Sequence, residues 1–206
     1  MAKAAIIYVG TQNGLLTFSN PGAAKNWRRI GHTLEGTAIR AILAADALHL
    51  TVITDTGAQR TEDGAQTWGR AEPGDGERLQ TLLDNGEPLL ATAQGLARWP
   101  GDHAPAPGTR ALAMLSGKQE VLLAAIAGGT TLLRSEDGGA HWAPGELNAE
   151  LQGSVSVIMP SSYHIDTAWA GTDAGELLCS DDRGRSWAVV GSADAPILSL
   201  AILRLI

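Results

Sequence analysis

The sequence predicts an all-β chain folded as a five-bladed β-propeller with four-stranded antiparallel blades. Three observations lead there: an eight-residue phrase written three times, a unit period near forty residues, and short apolar runs broken by turns. The phrase reads "SEDGGAHW" at 135–142, "SDDRGRSW" at 180–187 and "TEDGAQTW" at 61–68. Its tryptophans set the period. Trp68 follows Trp27 by 41 residues, Trp187 follows Trp142 by 45, and the 74 residues from Trp68 to Trp142 make two units of 37.

Five units then fit the chain: 1–35 with 195–206, 36–76, 77–108, 109–152 and 153–194. Each holds two runs around a tight turn: "AAIIYVGTQNGLLTFS", "LHLTVITDTGAQRTE", "PLLATAQGLARW", "VLLAAIAGGTTLLRSE" and "DTAWAGTDAGELLCSD". Glycine, often after a small polar residue, marks the turn of a hairpin. The innermost strands are "GTAIRAILAAD", "ERLQTLLDNG", "TRALAMLSG", "GSVSVIMPS" and "PILSLAILRLI". Alanine and leucine in these runs also suit a helix, but turn signals about every ten residues decide for strands. The chain starts on the second strand of a unit and ends on a first strand. "PILSLAILRLI" is therefore expected to pair with "AAIIYVGT", completing one blade and closing the ring without an open edge.

Composition narrows the function classes. Of 206 residues, 44% are hydrophobic and 18% charged, enough apolar content for a packed core in a single domain. A formal net charge of -7 argues against nucleic acid as a partner, because phosphate binders present a basic face. Cys179 is the one cysteine, so no intramolecular disulfide is expected. The apolar run near the N-terminus turns polar at "TQNG", short of a signal peptide, and no stretch suits a membrane span. The expectation is a cytoplasmic monomer that does not engage a membrane.

The pattern Ser/Thr-x-Asp-x-Gly-x-x-Trp resembles the Asp-box, or BNR repeat, of sialidase-like, sortilin-type and photosystem assembly factor propellers. Its residues are Ser135, Asp137, Gly139 and Trp142; Ser180, Asp182, Gly184 and Trp187; and, more loosely, Thr61, Asp63 and Trp68, with Ala65 in the glycine position. "SNPGAAKNW" keeps Ser19, Gly22 and Trp27 but no aspartate. The residue types suit a stapled turn. Aspartate accepts backbone N–H groups, glycine permits positive φ, and tryptophan covers apolar surface. The resemblance implies a structural role for these residues, on the rim opposite the binding face.

Catalytic signatures are sparse. The resemblance extends to sialidases by fold alone: they need three arginines, a tyrosine–glutamate pair and an acid aspartate on six blades, whereas this chain has two tyrosines, Tyr8 and Tyr163. Sialidase activity is not expected. A small glycoside hydrolase would use two carboxylates about 5–9 Å apart, for which Glu35, Asp55 and Asp173 are the candidates. His32, His49, His103, His141 and His164 show no ligand spacing, so no metal or other cofactor is expected.

The leading expectation is a noncatalytic binding or scaffolding propeller engaging its ligand at the central channel mouth. Lectin-like sugar binding is a further alternative, weakened because most tryptophans belong to the phrase. Innermost strands line the channel; at one parity they carry Arg40, Gln80, Ser156 and Ser199, and one step nearer the strand start Arg78, Arg110 and Ser154. Arg40, Arg78 and Arg110 would concentrate positive potential inside an acidic chain. The turns above them add Gln12, Asn13, Asp55, Gln94 and Asp173, and one connector adds His32 and Glu35. The partner is expected to be a protein or a small anionic or glycan ligand.

Overall fold

A computed structural model of the chain describes residues 5–20, 27–72, 89–92, 95–98 and 108–205. They fall into two compact units, residues 1–86 with 195–206 and residues 87–194. The chain is all-β and built of propeller-type blades, short antiparallel sheets in which successive strands are neighbours.

The first unit holds two four-stranded sheets. In one, β1 (Ala5–Thr11), β2 (Gly14–Asn20) and β3 (Arg28–Thr33) follow one another, and the C-terminal β19 (Ile197–Arg204) lies against β1. That pairing is antiparallel, with Ile7 opposite Ile202 and Val9 opposite Leu200. In the other, β4 (Ile39–Ala44), β5 (Leu50–Thr54), β6 (Gly57–Thr61) and the two-residue β7 (Gly69–Arg70) form a meander. Tyr8, Leu15, Ile39, Leu50, Val52 and Ala201 fill the space where the two sheets meet. The innermost strands β19 and β4 are tied by the buried Ser199 hydroxyl, which donates to the Ile39 carbonyl at 2.9 Å.

The second unit also holds two sheets. Strands β10 (Thr109–Leu115), β11 (Val121–Ile126), β12 (Leu132–Ser135) and the two-residue β13 (Ala143–Pro144) form one meander. Its period-two pattern is clear. Ala111, Ala113, Leu115, Val121, Leu123 and Ala125 face one core, while Leu112, Leu122 and Ala124 face the other way with Trp142. The second meander comprises β15 (Val155–Pro160), β16 (Ala168–Thr172), β17 (Glu176–Ser180) and β18 (Ser186–Ser192). Val155, Ile158, Ala168, Ala170, Leu178 and Trp187 bring it into the same core as the odd face of the first.

The described residues form four sheets, not the expected five. From the third unit of the repeat the described residues hold β8 (Leu89–Thr92) and β9 (Gly95–Arg98), which pair as a hairpin. A two-stranded hairpin is marginal by itself and gains by joining an open edge. Here β8 lies parallel to the innermost strand β10, with Ala91 opposite Ala113. The strand expected to head that blade, with Arg78 and Gln80, lies outside the described residues. A second departure from four-stranded antiparallel blades is β14 (Glu146–Leu147), a segment after β13 that pairs parallel with β18. It covers an edge that would otherwise present unpaired N–H and C=O groups.

Candidate functional site

One irregularity recurs in every sheet. Where the innermost strand begins, a single residue has no partner on the second strand. It is Arg40 between the pairs Ile39–Thr54 and Ala41–Ile53, and Arg110 between Thr109–Ile126 and Ala111–Ala125. It is Ser156 between Val155–Thr172 and Val157–Gly171, and Leu198 between Ile197–Thr11 and Ser199–Gly10. A bulge bends the strand and re-aims the extra side chain. The expected alignment is corrected accordingly. Arg110 shares the position of Arg40 and Ser156, where Ser154 and Arg78 had been its counterparts, and Leu198 takes the place given to Ser199. Ser199 is buried and committed to Ile39. Four bulges at one position are invisible to a strict two-residue period, which assumes unbroken alternation.

Beside each bulge lies the first residue of the hairpin turn: Gln12, Asp55, Ala127 and Asp173. Three of these share a backbone bond that fixes their equivalence: Gln12 N–H donates to Pro196 O at 2.9 Å, Ala127 to Gly108 O at 2.8 Å and Asp173 to Ser154 O at 3.0 Å. Just before them, buried threonine hydroxyls donate across the turn, Thr11 to Gly14 O at 2.8 Å and Thr54 to Gly57 O at 2.7 Å. Thr172 donates instead to the Glu176 carboxylate at 3.0 Å.

The candidate carboxylates have local partners. Arg40 Nε donates to Asp55 Oδ1 at 2.8 Å and a second guanidinium nitrogen reaches Oδ2 at 3.4 Å, which holds the Asp55 carboxyl below its ordinary range. Asp173 Oδ1 accepts the Ser154 N–H at 2.7 Å. Glu35 sits 3.5 Å from His32 Nδ1, which also accepts from Arg29 at 3.0 Å. His32 Nε2–H then donates to Asn13 O at 2.7 Å, and Asn13 Oδ1 accepts Gly36 N–H at 2.8 Å. The structure thus joins Arg40 with Asp55 and Asn13 with His32 and Glu35. Arg78 and Gln94 lie outside the described residues, as does Trp99. Among the described residues, no three His, Cys, Asp or Glu side chains come together as a metal site, and no helix is long and apolar enough to cross a membrane.

The repeated phrase forms one hydrogen-bonded turn three times. The hydroxyl of the first residue donates to the aspartate: Thr61 to Asp63 at 2.8 Å, Ser135 to Asp137 at 2.8 Å and Ser180 to Asp182 at 2.9 Å. The same oxygen accepts the N–H four residues on, from Ala65, Gly139 and Gly184. That position has φ of 71°, 95° and 80°, so Ala65 occupies a glycine conformation. The aspartate also accepts an N–H from Thr67, His141 or Ser186. The side chain of that same residue bonds the second carboxylate oxygen. Sequence reading passed over this residue before the tryptophan, although all three copies carry a hydrogen-bond donor there. Trp68 and Trp187 pack into the core each blade shares with the blade before it, and Trp68 Nε1–H donates to Thr33 at 2.9 Å.

These bonds hold the three carboxyls below the usual range. Asp63 falls to about 2, the Thr67 hydroxyl contributing most. Asp137 falls further, led by the His141 N–H. At Asp182 burial pushes upward, but the bonds from Ser186 and Ser180 together outweigh it. A carboxyl whose folded pKa lies below its unfolded value of 3.8 contributes stability that is present above that value and lost as pH falls toward the folded one. The melting temperature is therefore expected to hold down to roughly pH 5 and to drop between roughly pH 4 and 2. Scanning calorimetry checks this. Replacing all three aspartates by asparagine should flatten the acid limb, and an unchanged limb would show that these turns do not carry it.

No family model matches the chain, and no curated protein matches it. Solved structures do. An ancestral GH74 enzyme is similar over 94% of this chain and 25% of its own, with 12% identity and a TM-score of 0.36. The GH74 xyloglucanase from Xanthomonas campestris is similar over 91% of this chain and 37% of its own, with 13% identity and a TM-score of 0.34. YCF48 bound to D1 peptide is similar over 92% of this chain and 81% of its own, with 14% identity and a TM-score of 0.27. The chain thus spans about a quarter of the first enzyme and about a third of the second. Likeness at this level says nothing of activity or partner.

Proposed function

We propose that the chain is a noncatalytic binding or scaffolding β-propeller whose ligand or protein partner is engaged by the bulged residues and the hairpin turns beside them. The observation that supports this most is the bulge itself, kept at one position in four sheets while the residue it presents changes from arginine to serine to leucine. A geometry held constant under varied side chains suits recognition, with each bulge presenting a different chemistry to what it meets. The three phrase turns, read as Asp-boxes, satisfy their own carboxylates and serve the fold.

Asp55 is ill suited to the general-acid role of a glycosidase. A glycosidase acid needs a raised pKa, and the Arg40 fork has the opposite effect on Asp55. The test pairs turnover with binding. Xyloglucan, other β-glucans and sialosides should be left intact by the purified chain, as read by reducing-end release. Turnover that disappears in Asp55→Asn, Glu35→Gln or Asp173→Asn would overturn the noncatalytic reading. In a thermal-shift screen against peptides and small anions, a ligand at 100 times its Kd adds about 2.7 kcal/mol. That gain should shrink in the Arg40→Ala/Arg110→Ala double variant.

A further inference from the structure

We infer that Arg110 is the bulged residue that binds an oxyanion, a carboxylate or phosphate group of the ligand, and that Asp55 withholds Arg40 from the same role in its own sheet. The inference rests on the binding reading above and assigns a ligand chemistry to it. Arg40 and Arg110 occupy the same bulge in their respective sheets. What differs is the turn residue beside them. Next to Arg40 it is Asp55, which takes up the guanidinium through Nε and a second nitrogen. Next to Arg110 it is Ala127, whose methyl group accepts nothing.

Arg110 is exposed, and among the described residues no carboxylate, carbonyl or hydroxyl accepts its guanidinium. It keeps a planar fork of donors aimed by a bulge, the geometry that matches two oxygens of a carboxylate or phosphate. The second unit also carries the converse arrangement. Asp173 stands at the turn position beside Ser156, a carboxylate with no cation at its bulge. The sheets therefore combine the same two positions as a neutralised pair, a lone cation and a lone anion. Of the arginines singled out in the sequence, Arg40 and Arg110 thus differ in their partners.

The experiment follows individual arginine side chains. The full chain, labelled with 15N-arginine, is titrated at low ionic strength with inorganic phosphate and separately with succinate, and the Nε–H resonances are followed by NMR. The Arg110 resonance should move with at least one of the two anions while that of Arg40 stays still. The anion that moves it further identifies which oxygen geometry the site prefers. Arg110→Ala should weaken binding by about 10- to 100-fold.

Two exchanges test the logic of the pair without removing an arginine. Ala127→Asp should silence Arg110 by supplying the partner that Arg40 has. Asp55→Ala should make the Arg40 resonance respond. An Arg110 resonance that moves no more than that of Arg40 with either anion overturns the assignment, as does an undiminished response in Ala127→Asp. Either result leaves the binding module standing, since that reading fails only on turnover or on a partner whose binding ignores the bulged residues.

Discussion

Gly10→Ala is expected to lower stability by about 3 kcal/mol or more, the sum of overpacking and a broken buried hydrogen bond. A Cβ at Gly10 would collide with Ser199 Oγ and lie 2.8 Å from the Ile39 carbonyl oxygen. Ser199 can rotate away only by giving up its bond to Ile39, and the carbonyl belongs to the backbone of the neighbouring innermost strand. The strain therefore falls where two sheets meet in the first unit. For a chain of this size the loss corresponds to a melting point roughly 6–12 °C lower. The double variant Gly10→Ala/Ser199→Ala discriminates between the two clashes. It should recover little, because the Ile39 oxygen remains, and full recovery would show that the hydroxyl alone required the glycine.

Arg183→Ala is the second large effect, about 2–4 kcal/mol by loss of several charge-assisted bonds to partly buried acceptors. The Arg183 guanidinium donates to Leu115 O at 3.1 Å, Gln119 O at 2.7 Å, Ile165 O at 3.1 Å and Asp166 Oδ1 at 3.3 Å. It thereby ties the loop between β10 and β11 to the loop between β15 and β16. Only 15% of the side chain is exposed, so solvent would not fully replace these bonds. The residue holds φ at 64°, a conformation an arginine adopts at a cost. Lysine offers a point charge in place of a fork and should not restore the loss. Chemical denaturation of wild type, Arg183→Ala and Arg183→Lys checks this. A lysine variant as stable as wild type would mean that charge alone suffices.

What the sequence made legible was what depends on local chemistry. Three copies of the phrase predicted three turns, and each turn has the bonds that a hydroxyl, an aspartate and a positive φ dictate. The C-terminal strand was placed against β1 because the first unit lacked an innermost strand and that run supplied one, and the two do pair. The blade count failed for a different reason. Counting units assumes that each unit makes its own sheet, but the β8–β9 hairpin took its neighbour from β10. The site was legible only in part. Asp55 and Arg40 were both singled out, yet their pairing depends on a bulge that shifts Arg40 out of alternation. Ala127 drew no attention because it is apolar, and Arg183 drew none because most of its acceptors are backbone carbonyls, some of them far away in the chain.

The strand that completes the first sheet is made after every other described strand. On a ribosome adding about 5–20 residues per second, β19 emerges roughly ten to forty seconds after β1. For that interval β1 has β2 on one side and an unclaimed edge on the other, carrying Ile7 and Val9. The other three sheets complete themselves from contiguous sequence and have no such wait. The nascent chain thus passes through a period in which its N-terminal strand is a template for any extended segment nearby. Holding β1 clear until Ile197–Arg204 arrives is a task for chaperones or for the speed of translation itself.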